Sequence, residues 1–345
     1  MATHNSLSRI NIKDVAAAAA LSVSTVSRAL NNHPDVSEMT RQHVLRVANE
    51  LGYERNPFAH SLISGKSGLV AIVIYDFDND YHLQLLRGLN RSARKYHQEL
   101  LFTFTQSRQE SVTTCTSVYR RGVADGAIVF SPVIHDLPRL LALQQAGFPI
   151  VVIHPALPVD GLCSIEPADY EGAVLAMQHL INLGHTRIGV IVESDIWGAG
   201  PGRLDGYRTA LQQAGLTLDQ DLVLVGYPGF SESGRLAIRH WLDTGVELSA
   251  VLCFNDLVAY GLIHELRTSG IDVPDEVSVI GFDDIPNSQY FDSVGLTTVR
   301  QPIADIGAKA LEMLVELVRN ESEPGAHIVV PMELIVRGTT KQYSG

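Results

Sequence analysis

Between residues 10 and 55, apolar side chains recur every third or fourth position. Ile12, Val15, Ala16 and Ala19 fall on one helical face, with Asn11 available as an N-cap. The pattern breaks at Ala20-Leu21-Ser22. Ser22 can then cap a second helix over 23–30 whose inner face is Val26, Ala29 and Leu30. Residues 31–35 (NNHPD) read as a loop. Ser37 opens a third helix to about residue 51, with Val44, Leu45, Ala48 and Leu51 inward and Gly52 ending it.

From Leu69 the period changes. Apolar runs at 69–75, 100–105, 127–130, 150–153, 188–192, 222–225, 250–253 and 277–280 predict strands. Amphipathic segments between them, such as 83–96, 137–146, 170–183, 204–214, 231–241 and 256–269, predict helices. This alternation implies parallel sheets with helices on both faces. The strands are too many for one comfortable sheet. Two similar halves joined near residue 162 are expected, with a ligand cleft between them at the carboxyl ends of the strands.

Charge sharpens the division. The chain carries a net −12, but residues 1–66 hold seven Lys/Arg against five acids and the remainder holds 19 against 33. A mildly basic head on an acidic body suits contact with a polyanion through the head alone. No run of 18 apolar residues predicts a membrane span. The N-terminus is polar and lacks the apolar stretch of a secretory signal, which predicts a cytoplasmic protein. Cys115, Cys163 and Cys253 are scattered and odd in number, as for reduced core thiols, and predict neither disulfides nor a metal site.

The second helix of the head has the chemistry of a groove reader. Hydroxyls at Ser22, Ser24, Thr25 and Ser27 can bond phosphates or base edges, Arg28 can fork onto guanine, and Val23 can touch a thymine methyl. Such a helix crossing the major groove behind a supporting one is a helix-turn-helix. Asp14-Val15-Ala16, Ser22, Thr25-Val26-Ser27-Arg28, Asn31, Val36-Ser37, Thr40-Arg41, Leu51-Gly52-Tyr53, Asn56-Pro57 and Ala59 together resemble the N-terminus of the lactose-repressor (LacI/GalR) family of bacterial regulators. The resemblance implies that Val23, Ser24 and Arg28 meet bases. It also implies that 56–62 is a hinge helix, with Asn56 as its cap and Leu62 wedged into the minor groove at the operator centre. Ala20 departs from the pattern, which commonly has a turn glycine there. If Ala20 adopts positive φ, it costs roughly 1 kcal/mol relative to glycine.

The resemblance continues through Arg203-Leu204-Asp205-Gly206-Tyr207, Phe254-Asn255-Asp256, Val273-Pro274, the run from Val277 to Asp284, Leu296-Thr297-Thr298-Val299 and Gln301-Pro302. It implies an all-α helix-turn-helix headpiece plus an α/β core of two Rossmann-like subdomains, similar to periplasmic sugar-binding proteins. The expected divisions are a headpiece at 1–55 and a hinge at 56–66. An N-terminal subdomain is expected at 67–162 and 298–325, and a C-terminal one at 163–297 and 326–345. A polyhydroxylated ligand needs bidentate polar groups and a flat apolar surface. Arg203, Asn255 and Asp283 match effector-contacting positions of the family, and Phe230 matches a position where a ring lies against the ligand. His154 stands where relatives often carry another polar residue, while Asn79 and Tyr81 follow the first core strand. Asp256 and Asp284 are expected to cap helix or turn, and Tyr207 to be core.

The glycines before Arg203 (198–202, GAGPG) fail as a dinucleotide fingerprint, because the third glycine position holds Arg203 and the motif is not on the first βα unit. Neither a Walker sequence nor a catalytic constellation is present, so no enzymatic activity and no cofactor are expected. The expected function is a homodimeric regulator reading a pseudo-palindromic operator, repressing carbohydrate genes under control of a sugar-like effector. A purine corepressor or a phosphoprotein coregulator is the alternative within that class. A cytoplasmic sugar-binding protein or enzyme is the alternative outside it. After Val336 only nine residues follow, which predicts a dimer without a heptad tail.

Overall fold

The computed structural model describes residues 10–53, 67–75, 80–192, 202–226, 230–289 and 294–344, with only the backbone of Phe230. The described chain forms two compact units divided at residues 67 and 68. The first contains α1 (Ile12–Ala18), α2 (Val23–Leu30) and α3 (Glu38–Glu50). Each opens on a side-chain cap. Asn11 and Asp14 form a reciprocal capping box, Ser22 accepts from the Thr25 amide, and Ser37 accepts from the Thr40 amide. Val15, Val26 and Val44, one from each helix, are fully buried at the centre. The third helix differs from expectation on one point: Val47 is buried, while Leu45 is 40 % exposed. A 3.6-residue period puts 44, 47, 48 and 51 on one face and turns 45 away from it.

The second unit holds two six-stranded sheets. Their strands are β1 (Leu69–Tyr75), β2 (Glu99–Thr105), β3 (Gly126–Phe130), β4 (Ile150–Ile153), β5 (Cys163–Pro167), β6 (Ile188–Val192), β7 (Val223–Val225), β8 (Ala250–Cys253), β9 (Ser278–Asp283), β10 (Thr297–Arg300), β11 (His327–Val330) and β12 (Glu333–Ile335). The first sheet runs β11-β5-β4-β3-β1-β2 and the second β12-β10-β9-β8-β6-β7. All neighbours are parallel except β10 and β12, an antiparallel edge on a sheet expected to be purely parallel. The helices between them are α4 (Asp80–Tyr96), α5 (Ser111–Arg120), α6 (Leu137–Gln145), α7 (Asp169–Asn182), α8 (Gly202–Gln213), α9 (Phe230–Thr244), α10 (Asp256–Thr268) and α11 (Ile303–Arg319). Each sheet is buried on both faces, with α4 and α11 on one side of the first and α5 and α6 on the other.

Three chain crossings join the halves, and all three lie elsewhere than the sequence suggests. β5 belongs to the first sheet, so the first crossing follows Pro167 instead of residue 162. β10 pairs with β9, so the return comes at Gln301 and not at Thr298. β11 pairs with β5, which puts 327–330 in the N-terminal half. These strands carry Ser164, Glu166, Thr297, Thr298 and His327, and so lack the continuous apolar run that marks the central ones. Among the described residues no helix is long and apolar enough to cross a membrane. The three cysteines are free and buried.

Candidate functional sites

In the headpiece, α2 turns Val26, Ala29 and Leu30 inward and exposes Ser22, Val23, Ser24, Arg28 and Asn31. Thr25 and Ser27 are half-buried. Val23 is 42 % exposed although it is β-branched and aliphatic, so the fold itself makes little use of its side chain. Ser22 is less available than its neighbours: its Oγ caps the helix and lies 2.8 Å from both Ser24 Oγ and Thr25 Oγ1. Asn31 ends the helix as its C-cap. The turn before α2 is made by Ala20 at φ 54°, the left-handed conformation in which Cβ is disfavoured. Asn56 and Leu62, the expected hinge residues, lie outside the described residues.

In the core, the side chains that follow the strands converge. Asp169 enters α7 just after the first crossing and accepts a hydrogen bond from Arg203 Nε at 2.8 Å. Arg203 also donates to the Phe254 carbonyl and stacks on the Phe282 ring, 4.0 Å from its centroid. Both members of the Arg203–Asp169 pair are only 14 % exposed. The guanidinium is thus fixed on three sides before any ligand arrives. Asp205, two residues further along the helix, pairs with Arg208.

Asp283 closes β9 at φ 108° and is buried, with its carboxylate accepting from the Gln301 side-chain amide. Burial pushes its pKa well above the carboxylate range, and Arg203 opposes this. Among the described residues the Oε1 of Gln301 is buried without a partner, an acceptor that a donor from a bound molecule would satisfy. From the other half, His154 follows β4 at φ 54°, its Nε2 lying 2.7 Å from Tyr81 Oη. Burial holds His154 neutral, its pKa down at about 4, with Asp169 pulling the other way. Phe130 packs against both Tyr81 and His154. Left-handed backbone at Ser131, His154, Asp283 and Asp284, all at or just past a strand's carboxyl end, is strain that the surrounding packing maintains.

Some expectations change. Asn255 caps α10, its Oδ1 accepting from the Val258 amide at 2.8 Å, so one lone pair of that oxygen is committed to the helix. Asp256 is no cap. It is fully buried and accepts from Thr298 Oγ1 at 2.6 Å, Ser288 Oγ at 2.5 Å and the Ile285 amide at 2.9 Å, fastening β10 and the loop after β9. Asp284 is a pairing acid, 2.7 Å from Arg300 and from Arg337. Tyr207 is core and donates to the Ile188 carbonyl. Phe230 opens α9, its side chain outside the described part, and Asn79 lies outside it entirely. Asp169 and Gln301 are the site residues that sequence reasoning missed as contacts. Asp169 is not preceded by an apolar strand, and Gln301 is legible only as half of a Gln-Pro landmark.

The comparisons agree with this geometry. Residues 11–56 match the model for bacterial regulatory proteins of the lacI family, and residues 177–340 match that for a periplasmic binding protein-like domain. The HTH-type transcriptional regulator DegA of Bacillus subtilis is 33 % identical over 96 % of this chain and 98 % of its own. The HTH-type transcriptional regulator GalR of Escherichia coli is 34 % identical over 91 % and 90 %. Among solved structures, a complex of the regulator CelR with cellobiose superposes with a TM-score of 0.73 at 28 % identity, covering 96 % of this chain and all of that one. The lac repressor dimer bound to operator and an anti-inducer shares the fold, with a TM-score of 0.84 at 23 % identity and coverages of 96 % and 99 %. A capped three-helix head, two crossed α/β halves and end-to-end relatives of this kind have one reading: the chain belongs to the lacI family of bacterial regulatory proteins, DNA-binding regulators of transcription.

Proposed function

We propose that the chain is a cytoplasmic, homodimeric repressor whose operator affinity is set by a sugar-like molecule bound in the core cleft. The observation that carries this reading is Arg203. Its fork is clamped by Asp169 and laid on Phe282, with the strained Asp283 beside it and neutral His154 and Tyr81 presented from the opposite half. Carboxylate and guanidinium groups serve vicinal hydroxyls as paired acceptors and donors, and the rings offer an apolar surface. Cellobiose in one relative and ribose in another support the class of ligand.

In this reading Val23, Ser24 and Arg28 read bases in each half-site, Thr25, Ser27 and Asn31 position the helix, and Leu62 opens the centre of the operator. The effector acts by changing the angle between the halves, hence the spacing of the two hinges, with a coupling of about 1–3 kcal/mol. The test combines two measurements on the full chain. An operator is selected from a randomised duplex pool, and the protein is melted against sugars, sugar phosphates, polyols, nucleosides and purines. A stabilising sugar that also shifts operator affinity is the expected result. A purine with that pair of effects would replace the sugar reading, and a chain that enriches no sequence would overturn the regulator mechanism.

A further inference from the structure

The N-terminal half of the core has a second concavity, apart from the cleft. α5 and α6 border a groove of about 620 Å3 on the first sheet's outer layer. Val112, Ala142 and Leu143 give it an aliphatic surface, Thr113, Thr116 and Ser117 add hydroxyls, and three arginines stand around it: Arg120, Arg121 and Arg139. All three arginines are exposed. Arg120 and Arg121 end α5, where a cation is favoured by the helix dipole. That accounts for two of them. Arg139 stands in the first turn of α6, at the positive end of that helix, where the same dipole disfavours it. Its partner Asp136 is 3.6 Å away, and among the described residues Arg120 and Arg121 make no salt bridge. Residues 67–345 hold 33 acids against 19 bases, so three converging guanidinium groups are a local reversal of the field of the whole core.

We infer that the α5–α6 groove is a docking site for an acidic, partly apolar segment of a protein partner. Its carboxylates pair with Arg120, Arg121 and Arg139, and an aliphatic side chain covers Val112, Ala142 and Leu143. A small free anion would use only the arginines, in an open and screened setting, and would leave the apolar surface wet. A long nucleic acid would run its phosphates against the surrounding acidic surface. A short amphipathic segment uses both features of the groove. This inference is independent of what occupies the cleft.

The three native cysteines are buried, so a dye can be placed on Thr113→Cys, at the groove wall, in the full-length protein. The probe is a short synthetic helix with one glutamate stripe and one leucine stripe. Its controls are a twin with glutamine for glutamate, and inorganic phosphate. The expected result is saturable binding of the acidic peptide that weakens with salt. Each exposed pair contributes about two- to fivefold, so Arg120→Gln, Arg121→Gln and Arg139→Gln together weaken binding by about tenfold or more. Far-UV melting of the Arg120→Gln/Arg121→Gln double variant should stay unchanged, because both side chains are exposed and form no salt bridge among the described residues. This variant alone should already weaken binding. Arg139→Gln also removes the ion pair of the buried Asp136 and should lower the melt. Equal binding of the glutamine twin, unchanged binding by the triple variant, or no saturation by about 1 mM peptide would each overturn the proposal. So would phosphate alone reproducing the dye response and displacing the peptide, since the groove would then be a small-anion site.

Discussion

His154 is a titration switch that the fold keeps off, and this has a measurable cost in acid. Its imidazole is buried behind Tyr81 and Phe130, and burial lowers its pKa from 6.5 to about 4. In the unfolded chain the ring takes up a proton as pH falls below about 6.5, while in the folded chain it stays neutral until about 4. The unfolded state therefore binds more protons across that window, and stability is lost as pH falls through it. At about 1.4 kcal/mol per tenfold change in acidity, the loss reaches about 2 kcal/mol at pH 5 and about 3 kcal/mol near pH 4. The perturbation is His154→Asn, because asparagine tolerates the φ of 54° at this position and does not titrate. Urea unfolding of both proteins, followed by far-UV circular dichroism from pH 7.5 to 4.5, gives the difference between the two stabilities. Titrating groups that do not interact with His154 cancel in that difference. It should be constant above pH 7 and shift steadily in favour of the variant below 6.5. Parallel profiles would refute the argument, and with it the view that the imidazole is neutral in the cleft.

Three further outcomes follow from the packing and the site. Arg203→Ala leaves Asp169 and Asp283 without their cation, lowers core stability by about 3 kcal/mol and abolishes the effector's thermal shift while operator binding survives; a retained shift would remove Arg203 from the site. Ala20→Gly relieves the left-handed alanine and stabilises the headpiece by about 1 kcal/mol, read as a rise in its melting temperature, and an unchanged melt would contradict the backbone assignment. Gly261→Ala would place a Cβ 1.8 Å from the Ser231 carbonyl oxygen where α9 and α10 touch, forcing the helices apart at a cost of about 2–3 kcal/mol in urea unfolding; a neutral effect would mean that the contact is looser than the structure has it.

Much of this molecule is readable along the chain because burial on two sides leaves a continuous apolar run. β1, β4, β6 and β8 are such strands, and their limits agree with the sequence reading. The strands next to the crossings are different. β5, β10 and β11 put polar side chains among apolar ones because they lie beside the junction of the halves, so their sheet membership is decided by distant pairing. α5 is hidden for another reason: SVTTCTSVYR is poor in strong helix formers, and its helix rests on Val112, Cys115 and Val118 packing beneath the first sheet. In the site, Arg203 and Asp283 are legible because motifs surround them. The exchange of roles between Asn255 and Asp256 is not. Adjacent polar residues at a strand end can each cap a helix, and only three-dimensional partners show that the asparagine does so while the aspartate fastens Thr298, Ser288 and Ile285.

If the halves rotate as proposed above, the three crossings are their axle. Asp169 follows the first of them and Gln301 forms the second, and each of these residues bonds a cleft side chain, Arg203 and Asp283 respectively. A molecule seated on that quartet pushes close to the rotation axis, where a fraction of an ångström of adjustment is within reach of its contacts. The far rims of the halves then travel in proportion to their distance from the axle. Leverage of this kind lets a small ligand move a large body, and it rewards residues at the pivot above those at the lips of the cleft.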